Sequence, residues 1–294
     1  MISTAVSPPV ADNADVQSIG APAAVQAIID LALAEDVGRG DLTTEATVAP
    51  DTMATAVIRQ KQAGVVCGLP VVARVFATVD PRITITELAV EGSWGEQRLV
   101  ARIAGPARGI LSGERTALNF LQRLSGVATL SRRASEAVAG TGVRVLDTRK
   151  TTPGHRVLEK YAVRVGGCHN HRAGLDDGIL IKDNHIRAMG GITAAVTAAL
   201  RRTAPMQSVE VEVTTPAELD EAIAAGAAVV LLDNMDLEGL RAAVARAAGR
   251  VRLEASGGVT LQNLAAVAAT GVDYISLGAL TYAAGALDFS LDFE

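Results

Sequence analysis

The carboxyl-terminal half of the chain predicts an α/β fold of parallel strands joined by crossover helices, and the stretch before it predicts a small α+β layer. Two observations carry this. Six short runs rich in β-branched and aliphatic residues alternate with alanine-rich helical patterns: VRVLD (143–147), GILIK (178–182), VEVEV (209–213), AVVLLD (228–233), VRLEA (251–255) and DYISL (273–277). Upstream, between Thr52 and Gly105, alternating segments recur at hairpin spacing instead. Strand pattern alone leaves open whether the parallel strands curl into a barrel or remain an open sheet.

Taken in order, residues 1–20 are rich in Ser, Pro, Ala, Asp and Asn without an apolar period, which predicts a loose tail. Val25, Ile28, Ile29 and Leu33 recur at helical spacing and predict a helix over Ala23–Ala34, followed by a polar, glycine-punctuated loop over Glu35–Leu42. Strands are expected at Ala56–Arg59, Ile83–Val90 and Leu99–Ile103, with a turn at Glu91–Glu96 and a helix near Val71–Thr78. A long helical stretch, Arg108–Ala139, should bridge to the second domain, interrupted near Ser125 and Gly126. The domains expected are thus a tail (1–20), an α+β domain with its bridging helix (21–139), an α/β domain (140–280) and a final segment (281–294) returning to the first.

Composition excludes several functions. At 294 residues and 49% hydrophobic the chain can bury a large core, and a net charge of −5 with only 3% aromatic residues argues against a nucleic-acid groove, which needs positive potential and stacking platforms. No Lys or Arg precedes Arg39, and the longest apolar stretch, Ala222–Leu232, is too short to span a bilayer; the expectation is a cytoplasmic protein with no membrane partner. Cys67 and Cys168, far apart and in no CxxC spacing, read as free thiols.

Against this acidic background, residues 147–186 hold Arg149, Lys150, Arg156, Lys160, Arg164, His169, His171, Arg172 and Lys182. Such a cluster repels itself unless an anion sits within it. Arg149, His171 and Arg172 suit a carboxylate-rich substrate, because guanidinium forks match carboxylates bidentately at roughly 1.5 to 3 kcal/mol per charge-assisted bond. Lys150 and Lys182 suit a phosphate or pyrophosphate, and Lys182 could alternatively be a Schiff-base lysine. Glu210 and Glu212, two apart in one strand, share a face, which in a barrel is the interior. Buried carboxylates there need a lysine or a metal, and with Asp233 closing the next strand the hard oxygens favour Mg²⁺ or Mn²⁺; the plainer reading is an internal Lys–Glu ion pair. Ser256, Gly257, Gly258 and, one strand later, Gly278 fit a phosphate site built from the last two loops of a barrel. His155, His169 and His185 share no metal-binding spacing and read as structural, as do Cys168 and Met189.

At these residues the chain resembles the quinolinate phosphoribosyltransferases. The resemblance runs from about Ala21 to the end and rests on EDVGRGDLTTE (35–45), ERTALNFLQRLSG (114–126), DTRKTTPG (147–154), NHRAGLDD (170–177), IKDNHI (181–186), VEVEV, LLDNM and EASGG. His155 and Cys168 depart from it, standing where an apolar residue and a glycine are commoner. The resemblance implies an incomplete (β/α) barrel, an N-terminal α+β sandwich domain and a homodimer with shared sites. It further implies that Arg149, His171, Arg172 and Lys182, with Arg115 of the partner subunit, hold quinolinate. Lys150, Lys182, Glu212 and Asp233 would handle phosphoribosyl pyrophosphate and its Mg²⁺, with Ser256, Gly257, Gly258 and Gly278 on the 5'-phosphate. The implied activity is phosphoribosyl transfer with decarboxylation, giving nicotinate mononucleotide, pyrophosphate and CO₂ in NAD biosynthesis. A paralogue from molybdenum-transport operons, a barrel aldolase using Lys182 and a non-catalytic metabolite binder are the alternatives; the intact Arg149, His171, Arg172 set argues against the first.

Overall fold

The computed structural model describes residues 19–204 and 207–294. The tail read over residues 1–20 lies outside them but for its last two positions.

The described residues form two compact units, one running to Leu121 and taking in Asp288–Glu294, the other within Gln122–Leu287. In the first, helix α1 (Pro22–Val37) outruns its expected end and buries Val25, Ile29 and Leu33 on one face. Helix α2 (Leu42–Thr47) begins where a loop was expected, because Asp41 Oδ1 accepts from the Thr44 amide at 3.0 Å and caps it. Strands β1 (Met53–Gln60) and β2 (Gly64–Val65), helix α3 (Leu69–Val79), and strands β3 (Thr84–Glu87), β4 (Trp94–Gly95) and β5 (Arg98–Pro106) follow. β5 pairs antiparallel with both β1 and β3, and β3 is shorter than the run 83–90 from which it was read.

Helix α4 (Ala107–Ala137) passes from one unit into the other without the expected break at Ser125 and Gly126. Gly126 is a packing residue: a Cβ there would stand 1.7 Å from the carbonyl oxygen of Gly285, so the glycine admits a neighbouring backbone and the helix continues. The division between units falls inside this helix, between Leu121 and Gln122, where the sequence reading had placed it at 139.

The second unit contains β6 (Arg144–Leu146), α5 (Arg156–Val165), β7 (Ile179–Ile181), α6 (Asp183–Met189), α7 (Ile192–Leu200), β8 (Val209–Val213), α8 (Pro216–Ala224), β9 (Val229–Asp233), α9 (Leu237–Ala247), β10 (Arg252–Ser256), α10 (Leu264–Ala268), β11 (Tyr274–Ser276) and α11 (Ala279–Tyr282). Its six strands form one parallel sheet in the order β6-β11-β10-β9-β8-β7. β6 and β7 do not pair, so the sheet with its helices is an incomplete barrel; a single parallel bridge from Leu146 to His169 extends the β6 edge. Strand β8 shows why the strands read clearly: Val209, Val211 and Val213 are buried on one side, Glu210 and Glu212 point to the other. The helix after it starts on a reciprocal cap, Thr215 Oγ1 accepting from the Glu218 amide and Glu218 Oε2 from the Thr215 amide. The last strand, β12 (Phe289–Phe293), belongs to the first unit and pairs antiparallel with β1.

Candidate active site

Every strand of the parallel sheet from β7 to β11 carries a polar residue at or next to its carboxyl end, and those residues gather round one cavity of about 600 Å³. Arg149 and Lys150 enter from the loop after β6, Lys182 from the end of β7, Glu212 from β8, Asp233 from β9, and Glu254 and Ser256 from β10. His171, Arg172, Gly257 and Gly258 also line it. Ten of the residues singled out in the sequence therefore share one wall, as the carboxyl ends of parallel strands require. Gly278 is not part of that lining; it packs behind it, its Cβ position 3.0 Å from Lys150 Cδ, where a side chain would displace the lysine. Arg115 is exposed on α4 in the first unit and does not line the cavity either.

The basic segment divides between scaffold and site. Lys160 is buried and donates to Asp147 Oδ1 at 2.5 Å and to the carbonyl of His171 at 2.9 Å. Asp147, fully buried, also accepts from Asn170 Nδ2 and from the His171 amide, and burial holds its pKa above the ordinary carboxylate range despite Lys160. Arg156 is spent on Thr151 Oγ1 and on the carbonyls of Arg149 and Ala173, and Arg164 on Asn170 Oδ1. Part of the cluster's repulsion is thus relieved by internal acceptors, and Arg156, Lys160 and Arg164, for which the sequence offered no role, serve the scaffold. Arg149, Lys150, Arg172 and Lys182 remain to face the cavity. Burial, reinforced by the nearby Arg149 charge, lowers the pKa of Arg172 against the opposing pull of the Glu210 and Asp177 carboxylates.

The carboxylates are arranged in two layers. Nearer the opening, Glu212 forms an ion pair with Lys182, and Asp233 Oδ2 accepts from Asn234 Nδ2 at 2.8 Å. Deeper, Glu210 Oε2 lies 3.1 Å and Glu254 Oε2 3.6 Å from Nε2 of His171. Burial first, then the Glu210 charge, pushes the Glu254 pKa up to about 7. For His171 burial opposes protonation, but the two glutamates outweigh it and its pKa rises. The sequence reading gave His171 to the substrate and weighed a metal-binding spacing only for His155, His169 and His185; 39 residues separate His171 from Glu210, so only the fold brings the three groups together.

Asn234 was missed too. Its φ of +55° turns the chain at the end of β9, and its Oδ1 would be 2.2 Å from a Cβ on Gly257, itself at φ +86°. Nothing in the spacing of LLDNM signals this, though Asn tolerates the left-handed conformation better than most residues. Beneath the site, Arg123 ties α4 to the loop after β6 and to α11: it donates to the buried Glu159 at 2.6 Å and to the carbonyls of Thr281 and Ala284, while Glu159 caps Thr152. Thr281 Oγ1 in turn donates to the Lys150 carbonyl at 2.7 Å.

A parallel α/β sheet with cations, carboxylates and a glycine pair at its carboxyl mouth defines an enzyme-type domain that binds a small, multiply anionic ligand. Comparison with known proteins makes this specific. Residues 41–125 match the model of the quinolinate phosphoribosyl transferase N-terminal domain and residues 127–292 that of its C-terminal domain. The chain is 46% identical over 264 residues to a probable nicotinate-nucleotide pyrophosphorylase (carboxylating) of Synechocystis and 43% identical over 259 residues to one of Bacillus subtilis, covering 88% of this chain and 89% of each relative. The solved nicotinate-nucleotide pyrophosphorylase of Francisella tularensis superposes with a TM-score of 0.89 at 41% identity, over 95% of this chain and 99% of that one. The chain belongs to the quinolinate phosphoribosyltransferase family.

Proposed function

We propose that the chain transfers the phosphoribosyl group of phosphoribosyl pyrophosphate to the ring nitrogen of quinolinate and releases the adjacent carboxylate as CO₂, giving nicotinate mononucleotide and pyrophosphate. The observation that carries this reading is the convergence of Arg149, Lys150, Arg172 and Lys182 on one cavity that also contains Gly257 and Gly258. Four cations suit a substrate pair with two carboxylates on one partner and phosphate and pyrophosphate on the other.

In this reading Arg149 and Arg172 engage the two carboxylates of quinolinate, with His171 and Lys182 beside them, and Lys150 with Lys182 holds the pyrophosphate. Ser256 and the amides around Gly257 and Gly258 take the 5'-phosphate, where the absence of side chains lets backbone approach the oxygens. Gly278 contributes by leaving room for Lys150. Glu212 and Asp233 offer hard oxygens on adjacent strands at the cavity wall, a donor set suited to Mg²⁺ or Mn²⁺. When bound, the ion would supply charge neutralisation for the departing pyrophosphate. The chain's own residues hold the two substrates in line, and a carboxylate near the ribose stabilises the positive charge that develops as pyrophosphate leaves. The positively charged quinolinium nitrogen then stabilises the electron pair left on the adjacent ring carbon as CO₂ departs, and that carbon takes up a proton from solvent to give nicotinate mononucleotide. No protein nucleophile is required, and Lys182 forms an ion pair with Glu212.

We further infer a homodimer in which Arg115 of the partner subunit completes each quinolinate site, which accounts for an exposed arginine within ERTALNFLQRL. A cytoplasmic setting suits substrates too highly charged to cross a bilayer unaided; among the described residues no helix is long and apolar enough to span a membrane.

The deciding assay measures pyrophosphate and CO₂ release. Quinolinate should be turned over and nicotinate should not, because donors left unpaired in a desolvated site cost more than one missing contact. Comparable kcat/KM for the two would refute the reading. Chelation by EDTA should abolish turnover and Mg²⁺ or Mn²⁺ restore it; full activity in chelator would leave Glu212 and Asp233 a structural role.

A further inference from the structure

The deep layer of the cavity poses an electrostatic problem that the roles above do not use. Glu210 and Glu254 are 7% and 2% exposed, they face the His171 imidazole and each other, with the Ser276 hydroxyl also on Glu254, and one oxygen of each, Oε1, has no hydrogen-bond partner among the described residues. Burying two carboxylates at the base of a site for an anionic substrate is costly, and the arrangement persists only if it fixes something.

What it fixes can be read from the protons. The backbone amide of Arg172 points at Nδ1 of His171 at 2.7 Å. An amide can only donate, so Nδ1 accepts, and in the neutral ring the proton must then sit on Nε2. That N–H is directed at Glu210 Oε2 and Glu254 Oε2. The chain of contacts continues outward: the Arg172 guanidinium is held from the other side by the carbonyl of Gly178 at 3.0 Å, and His171 is tethered at its own amide by Asp147 and at its carbonyl by Lys160.

We infer that Glu210 and Glu254 are positioning residues: by clamping Nε2 of His171 they hold its ring so that Nδ1 orients the backbone of Arg172, and so set where the Arg172 guanidinium meets a substrate carboxylate. This rests on the quinolinate reading for the identity of that carboxylate, and on the geometry alone for the clamp. The three side chains also place ligand-type atoms within 4.8 Å of one another, the grouping of a metal site. The tautomer speaks against an ion there, since a metal on Nε2 would have to displace its proton while the Arg172 amide still occupies Nδ1. The clamp is therefore closed by a proton.

The test combines a spectroscopic and a kinetic reading. In the wild-type protein labelled with ¹⁵N-histidine, which has four histidines in all, His171 should show a protonated Nε2 and an acceptor Nδ1. Glu254→Gln and Glu210→Gln should perturb that signature. Both variants should raise KM for quinolinate on the order of tenfold or more, the usual effect of a small misplacement of a binding group. Affinity for phosphoribosyl pyrophosphate, measured by calorimetry without quinolinate, should stay within about twofold of wild type, which a general loss of folding would not allow. A protonated Nδ1 in the wild-type spectrum overturns the clamp, whether or not the variants fold. So does an unchanged quinolinate KM, or an equal weakening of both substrates. Stoichiometric Zn²⁺ binding that shifts the His171 resonances and is lost in Glu254→Gln would replace the clamp with a metal site. Failure of wild type to consume quinolinate would overturn the proposed activity while leaving the histidine spectrum to decide the clamp.

Discussion

Gly126→Ala separates two accounts of one residue. If Gly126 were an ordinary helix-interior glycine, alanine would stabilise the protein by up to about 1 kcal/mol through backbone entropy and helix propensity. The structure requires the opposite sign. The added methyl would lie 1.7 Å from Gly285 O, 2.8 Å from its carbonyl carbon and 3.3 Å from Ala286 Cα, all backbone atoms, whereas carbon contacts settle near 3.5 to 4 Å. Segment 284–287 must therefore retreat by roughly 2 Å, straining the bonds from the Leu287 amide to Gln122 O (3.0 Å) and from Arg123 Nη1 to Ala284 O (2.6 Å). Overpacking of this kind costs about 1 to 3 kcal/mol and the two strained bonds about 1 kcal/mol each, so after the helix gain the net loss should be about 2 to 4 kcal/mol. Urea unfolding followed by circular dichroism would read it as a lower midpoint at unchanged slope. Because Arg123 also holds Thr281, whose hydroxyl holds Lys150, the variant should bind phosphoribosyl pyrophosphate more weakly as well. A Gly126→Ala protein as stable as wild type, or more so, would refute the packing argument.

Three further outcomes follow from geometry described above. Lys160→Met should strip Asp147 of its buried partner and destabilise by about 3 to 5 kcal/mol, with Asp147→Asn added to it recovering part of the loss; strictly additive losses in a double-mutant cycle would mean the pair is not coupled. Cys168 is buried and its thiol pKa is pushed up to about 12, so folded protein holds that proton while the unfolded chain releases it near 9: stability should fall as pH rises from 9 towards 12, by on the order of 2 kcal/mol at pH 10.5 relative to Cys168→Ala, whose urea midpoints should lack this component. The same thiol should resist iodoacetamide in folded protein, and rapid alkylation would contradict its burial. Gly257→Ala, with φ +86° and a methyl 2.2 Å from Asn234 Oδ1, should weaken phosphoribosyl pyrophosphate at least tenfold while leaving quinolinate within about twofold, as judged by calorimetry; unchanged affinity would move the 5'-phosphate elsewhere.

What was legible in the sequence was whatever repeats locally. The alternation of Val209, Val211 and Val213 with Glu210 and Glu212 marked strand, face and carboxyl end together, and the same logic located Lys182, Asp233 and Ser256. Misreadings arose where one residue type serves two physical ends. Gly126 looked like a helix breaker because flexibility and small size are the same letter. Arg156, Lys160 and Arg164 were given no role in the sequence because their acceptors, backbone carbonyls and Asp147 among them, are supplied by the fold. Asp41 as a cap, and the meeting of His171 with Glu210 and Glu254, depend on distances that no local period encodes.

Strand β1 lies between β5 and β12, and the whole of the second unit is synthesised between those two neighbours. The first unit's sheet is thus finished only after its companion has been made, and until then β1 presents the edge that Ile58 and Gln60 will later share with Leu291 and Phe289. An open edge is a template for pairing with other chains. A nascent or proteolytically shortened molecule ending before Asp288 would carry this exposed ladder, and long-range pairing of this kind is slow to form. Premature termination should therefore be felt first as self-association of the first unit and only secondarily as lost catalysis, even though none of the last seven residues lines the cavity.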